Sequence, residues 1–213
     1  MKARMLFSLA LLATLGLTSC KKDKDEDRNT VKIGGKTYPT VTIGDQVWMA
    51  ENYSGEGGLY YQESDANKTE YGKFYTLEEA KAIAVPAGWR LPTSADIKKL
   101  LESQGAEVEE NAASNAGETE TEAALVKLMA TTGWGELQGT NASGFNAFPN
   151  GFANDDDEFR LQGQAAIFWT ASTYVSDNIT SPIFFYLEND RAMYLSEGPL
   201  TGFRMSVRFV KDK

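Results

Sequence analysis

The chain of 213 residues contains no histidine and a single cysteine. Without histidine there is no imidazole general base, no Ser-His triad and no His-ligated zinc, haem or non-haem iron. With one cysteine there is no intrachain disulfide, no redox pair and no thiolate cage for a metal. Positive charge is also short: 21 Lys+Arg face 30 Asp+Glu, a formal charge of −9. A nucleic-acid binder needs a basic face, so nucleic acid is not an expected partner. No internal period of about 20–50 residues repeats, which excludes a solenoid or propeller. What is present is a hydrophobic fraction of 42% with 11% aromatics. That is enough for one folded domain with a core.

The first twenty residues read as an export address. Lys2 and Arg4 form a positive start, and Leu6–Leu17 is an apolar run of 12 residues. A bilayer span takes about 20, so this segment is too short to cross one. It ends in Leu17-Thr18-Ser19-Cys20, which resembles the bacterial lipobox. That resemblance implies cleavage before Cys20 and acylation of its sulfur and new amino group. Two or three acyl chains give stable anchoring where one is marginal. Residues 1–19 are therefore expected to be a lipoprotein signal peptide. Its loss removes Lys2 and Arg4, two positive charges, and takes the formal charge from −9 to −11. Residues 20–30 are expected to be an acylated, charged tether, with Lys21–Arg28 carrying four bases and four acids. The pattern Cys-Lys-Lys-Asp-Lys-Asp-Glu-Asp also resembles the acidic export signals of surface lipoproteins in Bacteroidetes-type bacteria. It implies an outer-membrane anchor, with the domain facing the cell surface and the periplasmic face as the alternative.

From Val31 the pattern is that of a folded domain, 31–213. Val31–Ile33, Thr37–Ile43 and Gln46–Met49 read as strands, punctuated by Gly34-Gly35 and Gly44-Asp45. Gly55–Gly72 is polar and rich in Gly and Tyr and reads as a surface loop. Thr76 with Glu79 is a capping box that opens a helix running to about Val85, before Pro86. Thr93 with Asp96 is a second box, followed by an Ile97, Leu100, Leu101 stripe. Gly105–Gly117 is acidic, without aromatics, and is expected to be a mobile insertion. A third helix is expected from Thr119 on, with Leu125, Leu128 and Met129 inward and Gly133 as its stop. Ile167–Thr170, Ile183–Leu187, Ala192–Leu195 and Phe203–Val210 read as strands. In the last, Phe203, Met205, Val207 and Phe209 share one face, and Arg204, Ser206 and Arg208 the other. Strands, helices, long loops and strands in that order give an α+β domain with about three helices, not a βαβ array. With strands at both ends, the first and last are expected to pair.

Six blocks then resemble a known family. They are Thr40–Asn52 within Val31–Tyr53, Gly72–Ala80 (Gly-Lys-Phe-Tyr-Thr-Leu-Glu-Glu-Ala), Pro86–Thr93 (Pro-Ala-Gly-Trp-Arg-Leu-Pro-Thr), Gly139–Phe148, Phe168–Thr173 (Phe-Trp-Thr-Ala-Ser-Thr) and Gly202–Asp212. In this order they are similar to the Fibrobacter succinogenes major paralogous domain. The resemblance implies a C-type-lectin-like fold with short twisted antiparallel sheets, related to formylglycine-generating enzymes and sulfoxide synthases. Its members are typically lipoproteins or secreted modules. The family often carries one Cys before Pro-Ala-Gly-Trp-Arg-Leu-Pro and another near the end; here those positions are Val85 and Phe209. The resemblance thus implies that packing replaces a lost bridge, one that over so long a loop contributes several kcal/mol.

The chemistry of the related enzymes does not transfer. One branch holds copper with a cysteine pair and the other holds iron with histidines. The only cysteine here belongs to the anchor, and histidine is absent. Carboxylates remain: Asp155, Asp156, Asp157 and Glu158, and Glu188 with Asp190. They offer a carboxylate-based hydrolase as one alternative. The 155–158 run also offers hard oxygen ligands for a structural calcium ion. Glu-Pro-Asn, Gln-Pro-Asp and Trp-Asn-Asp lectin signatures are absent, as is a Gly-punctuated calcium loop. Adjacent acids among Asn and Gly are more often a solvated turn. Trp48, Trp89, Trp134 and Trp169 are read as core anchors, and Arg90 as a paired internal cation. Tyr53, Tyr60, Tyr61 and Tyr71 are the surface candidates for ligand contact, since tyrosine binds at low entropy cost. The expected function is non-catalytic recognition of a glycan or a surface protein by a lipid-anchored domain without a required cofactor. A structural subunit of a surface assembly is the further alternative.

Overall fold

A computed structural model describes residues 29–61, 71–135, 137–196 and 201–213. The leader, Cys20 and all but the last two residues of the expected tether lie outside the described residues. The first strand, β1 (Thr30–Ile33), turns through Gly34 and Gly35 into β2 (Lys36–Ile43), and β3 (Gln46–Met49) follows. Both turn glycines have positive φ, 57° and 82°. A type I′ hairpin turn needs that conformation at both central positions. The last strand, β11 (Val210–Asp212), pairs with β3 through Val210↔Trp48. The order is β1-β2-β3-β11, so the end of the chain joins the meander at β3 and not at β1.

Helix α1 (Leu77–Ala82) opens on the Thr76/Glu79 box, as the sequence predicts. It stops earlier than expected, with Ile83 already extended at φ −65° and ψ 120°. The run to Pro86 is β-branched at Ile83 and Val85, and a residue before proline disfavours the helical region. Helix α2 (Ser94–Ser103) starts on the Thr93/Asp96 box and buries Ile97, Leu100 and Leu101.

The 105–117 segment differs from expectation. It contains β4 (Glu109–Asn111) and joins β5 (Ala116–Thr119) as a hairpin whose second strand hydrogen-bonds to a core strand. The sequence signal is weak because every β4 residue is exposed. Backbone pairing, not side-chain burial, holds the edge. Thr119 consequently ends a strand and does not cap the next helix. That helix, α3 (Glu122–Leu128), has Thr121 at its N-cap without a side-chain bond and ends at Met129, ahead of Gly133. Leu125, Leu128 and Met129 are buried.

Short strands β6 (Phe152–Ala153) and β7 (Phe159–Arg160) precede a long hairpin. Strand β8 (Ala165–Ser176) turns at Asp177-Asn178 into β9 (Ile179–Glu188), and β10 (Ala192–Leu195) follows. The larger sheet has the order β4-β5-β10-β9-β8. Phe203–Val210 is not a continuous strand. It touches other segments through single bridges at Arg204, Met205 and Ser206 before β11 begins. Both of its sides are buried, Ser206 and Arg208 as well as Met205, Val207 and Phe209. The expected polar face does not exist, because this segment runs between two packed layers.

Alternation along the larger sheet divides the core in two. Phe168, Phe185, Leu187 and Tyr194 pack with α2, α3, Trp48 and Trp134. Ile167, Trp169 and Phe184 point to the other side, against Tyr38, Met49, Tyr75, Trp89 and Phe209. Val85 packs partly buried on the cluster that contains Phe209, so the two positions meet in one apolar environment. The domain is α+β with mainly antiparallel sheets and three helices among the described residues. No described helix is long and apolar enough to cross a membrane.

Candidate functional site

The outer side of the larger sheet carries a cleft of about 330 Å³. Its floor follows from strand register. Ile167 pairs with Tyr186 and Tyr186 with Met193; Trp169 pairs with Phe184 and Phe184 with Leu195. Cross-strand partners share a face, so these side chains stand in two rows. The floor of the cleft takes Ile167, Phe184, Tyr186, Met193 and Leu195 from them. Phe152, Leu161, Phe203 and Met205 form the opposite wall. The Phe152 and Phe203 rings stack at 5.6 Å with 16° between planes. Reciprocal backbone bonds of 3.0 and 2.9 Å between Ala153 and Arg204 fix their spacing.

One polar group system borders this apolar surface. The Tyr186 hydroxyl donates to Glu188 Oε2 at 2.7 Å, and Arg191 Nε donates to Glu188 Oε1. That bond to Glu188 holds the Arg191 guanidinium above its ordinary value. The Glu188 carboxylate is thus engaged on both oxygens, and its charge is balanced by Arg191. The size lies at the lower end of small-ligand sites, about 300–1,000 Å³. The surface favours an apolar group from a ligand, oriented by a Tyr-Glu-Arg edge.

The tyrosine candidates are placed differently from expectation. Tyr53 is 2% exposed and Tyr71 7%, so neither presents a free surface. Tyr53 packs on Tyr38, Tyr75 and Phe209 at 5.6, 5.3 and 5.8 Å. The glycines that gave the segment its loop signature lie against these rings. A Cβ on Gly55 would stand 2.0 Å from Tyr53 Oη, and one on Gly58 2.6 Å from Tyr75. The segment is glycine-rich because backbone covers aromatics. Tyr71 packs on Phe148 and Tyr61 at 5.0 Å each. Tyr61 is half-buried and also meets Phe159 at 4.9 Å. Tyr60 is half-buried under the Lys73 ammonium, 4.6 Å from its centroid. Burial raises the Tyr75 hydroxyl well above the ordinary range.

Asp155, Asp156, Asp157 and Glu158 are exposed and form a turn. Asn154 Oδ1 accepts from the backbone of Asp156 and Glu158 at 3.1 and 2.8 Å. Asp157 pairs with Arg204 at 3.2 Å and Glu158 with Arg160 at 2.5 Å. Two of the four candidate calcium ligands therefore face arginines. Among the described residues no group of three or more acids gathers as a metal site. Asp190 is exposed beside Glu188.

Trp48, Trp89, Trp134 and Trp169 are all buried. Trp169 Nε1 donates to Tyr75 O at 2.6 Å and Trp134 Nε1 to Ala147 O at 3.2 Å. Arg90 makes a forked pair with Asp96, with its Nη2 bond at 3.0 Å, and reaches Asp212 at 3.4 Å. Asp96 also accepts from the Thr93 backbone and from Gln46 Nε2, each at 2.7 Å. Burial pushes the Asp96 carboxyl up; the bonds from Arg90 and Thr93 outweigh it and hold the group below the usual carboxylate range.

Sequence reading missed Arg208, which is 2% exposed. Burial pushes its guanidinium down to about 9. Nε donates to Asn52 Oδ1 at 2.7 Å, Nη2 to Asn146 O at 2.9 Å, and Nη1 to Phe145 O. The Phe145 and Phe168 rings lie 4.5 and 5.2 Å away. Asn52 and Asn150 both donate to Tyr71 O, at 2.9 and 3.0 Å, and to Ser206 Oγ. The cleft itself was equally illegible: Phe152, Phe184, Phe203 and Met193 have no special spacing, and only strand register aligns them.

Comparison with known proteins found no match among curated proteins and none among solved structures. One family model does match, over residues 41–211, from within β2 to within β11. That range covers the whole of the larger sheet, all three described helices and the whole cleft, and leaves out β1 and the first part of β2. The chain belongs to the Fibrobacter succinogenes major domain family.

Proposed function

We propose that this chain is a recognition domain, held to the outer membrane by a lipidated Cys20 and facing the cell surface, on a C-type-lectin-like scaffold. The lipobox-like Leu17-Thr18-Ser19-Cys20 supports the anchor. Short antiparallel sheets, capped helices and a terminal strand that rejoins the N-terminal meander support the scaffold. One observation carries the recognition reading: an open apolar cleft bordered by Tyr186, Glu188 and Arg191. Such surfaces bind the apolar face of a sugar or a protein side chain. The ligand-contact role thereby moves from Tyr53 and Tyr71 to Tyr186 and the phenyl wall. Tyr60 and Tyr61 remain as half-buried neighbours of one another in sequence. The test is retention of the full-length chain on a glycan array and on fractionated cell envelope. Phe203→Ala is expected to weaken retention about tenfold, and an unchanged Phe203→Ala removes the cleft as the site.

A further inference from the structure

The cleft does not end at β10. In register with Met193, the next strand presents Glu118, and beyond it β4 presents Glu109. One continuous row therefore reads Glu109, Glu118, Met193, Tyr186, Ile167 across the sheet. A second depression beside the cleft shares Met193 and Leu195 with it and is walled by these two glutamates. Acidic and apolar surfaces are thus one face.

Glu109 and Glu118 are direct cross-strand partners, and like charges so placed destabilise a sheet. Neither side chain has an ion pair or hydrogen bond among the described residues. The neighbouring Glu110 differs, since it pairs with Lys98 and accepts from Tyr194 at 3.1 Å. The repulsion on the cleft side is therefore left uncompensated among the described residues. On the other border, Glu188 and Arg191 neutralise each other. Among the described residues, unpaired acids thus flank one side of the cleft and a neutralised pair the other.

We infer that the cleft takes a protein segment in which a large apolar side chain is flanked by lysine or arginine. The apolar side chain enters between Phe203 and Met193, and the cation meets Glu109 and Glu118. A free sugar suits this surface less. It needs hydrogen-bond partners around most of its perimeter, whereas Glu188 is already engaged on both oxygens. Met193 and Met205 line both sides, and flexible thioethers adapt to irregular apolar shapes. Charge complementarity supplies the orientation and the on-rate. This inference rests on the recognition reading above and adds the partner class to it.

The test is selection of a phage-displayed random-peptide library against the immobilised full-length chain, followed by binding of enriched peptides to variants. Enriched peptides are expected to carry Lys or Arg beside an aromatic or long aliphatic residue. Their affinity is expected to fall about tenfold in the double variant Glu109→Gln, Glu118→Gln, and to weaken with salt. The same variant is expected to melt no lower than the parent, because a like-charge pair is removed; this separates binding from folding. Enriched peptides without basic residues, or equal binding by the double variant, overturn the partner class. Peptide binding that is still lost in Phe203→Ala leaves the cleft reading standing in that case. If no peptide is enriched over the Phe203→Ala protein, the inference fails; Phe203-dependent retention of glycans then preserves the recognition reading, and its absence removes both.

Discussion

Asp96 performs several structural tasks at once. It caps α2, accepts from Gln46 of β3 and pairs with Arg90, which reaches Asp212 at the end of β11. The carboxylate ties β3 to the 90–96 stretch, and Arg90 extends the link to β11. Because its folded-state value is lowered, the ionised form is the one that stabilises the fold. Its contribution is present above the ordinary Asp value of about 3.9 and is lost as the pH falls through the lower folded value. Asp96→Asn is expected to cost about 1–3 kcal/mol at neutral pH and to flatten the acid limb of the stability curve. Chemical denaturation of both proteins between neutral and acid pH measures it; equal slopes would contradict this role. The Arg90-Asp96 partnership was half legible, since Thr93-x-x-Asp96 is a capping pattern and Arg90 lies next to a helix start. Arg208 was not. In a strand-like run of alternating residues, an arginine reads as the wet face. Only the chain's passage between two layers makes it internal.

Elements with a turn or cap signature could be read directly. Gly34-Gly35, Gly44-Asp45 and the two capping boxes encode their conformations locally, through φ and side-chain hydrogen bonds. Elements held by long-range backbone pairing could not. The β4–β5 hairpin has no hydrophobic pattern, and β8 and β9 extend past their apolar centres on ladder bonds, with Tyr174 packing back on the core. The Gly55–Gly58 segment shows a third case, where glycine marks close approach and not freedom. Gly55→Ala places a methyl group 2.0 Å from the buried Tyr53 hydroxyl oxygen. Tyr53 is enclosed by three rings, so it cannot step aside. A loss of about 1–3 kcal/mol is expected in thermal unfolding. A variant that melts like the parent would mean that the segment does not rest on the tyrosines.

At the scale of the whole molecule, the described residues form a sheet packed on both sides, with the cleft left open among them. Helices α2 and α3 cover one side, and the terminal meander covers most of the other. The cleft opens on that second side, with Phe184 and Ile167 in its floor. Composition had removed imidazole and thiolate chemistry from the domain, but the position of an open apolar surface depends on register between distant strands. Family membership was legible because its signatures are short local blocks spread from β2 to β11. The anchor is a separate claim: labelled palmitate is expected in the parent and absent from Cys20→Ala, and no label in the parent would contradict lipidation. The central claim is that this cleft is the recognition site. The most direct measurement compares retention of the full-length parent and Phe203→Ala on envelope fractions and glycans, with thermal melts as the folding control. The account predicts about tenfold weaker retention by a folded variant; equal retention by the two proteins would contradict it.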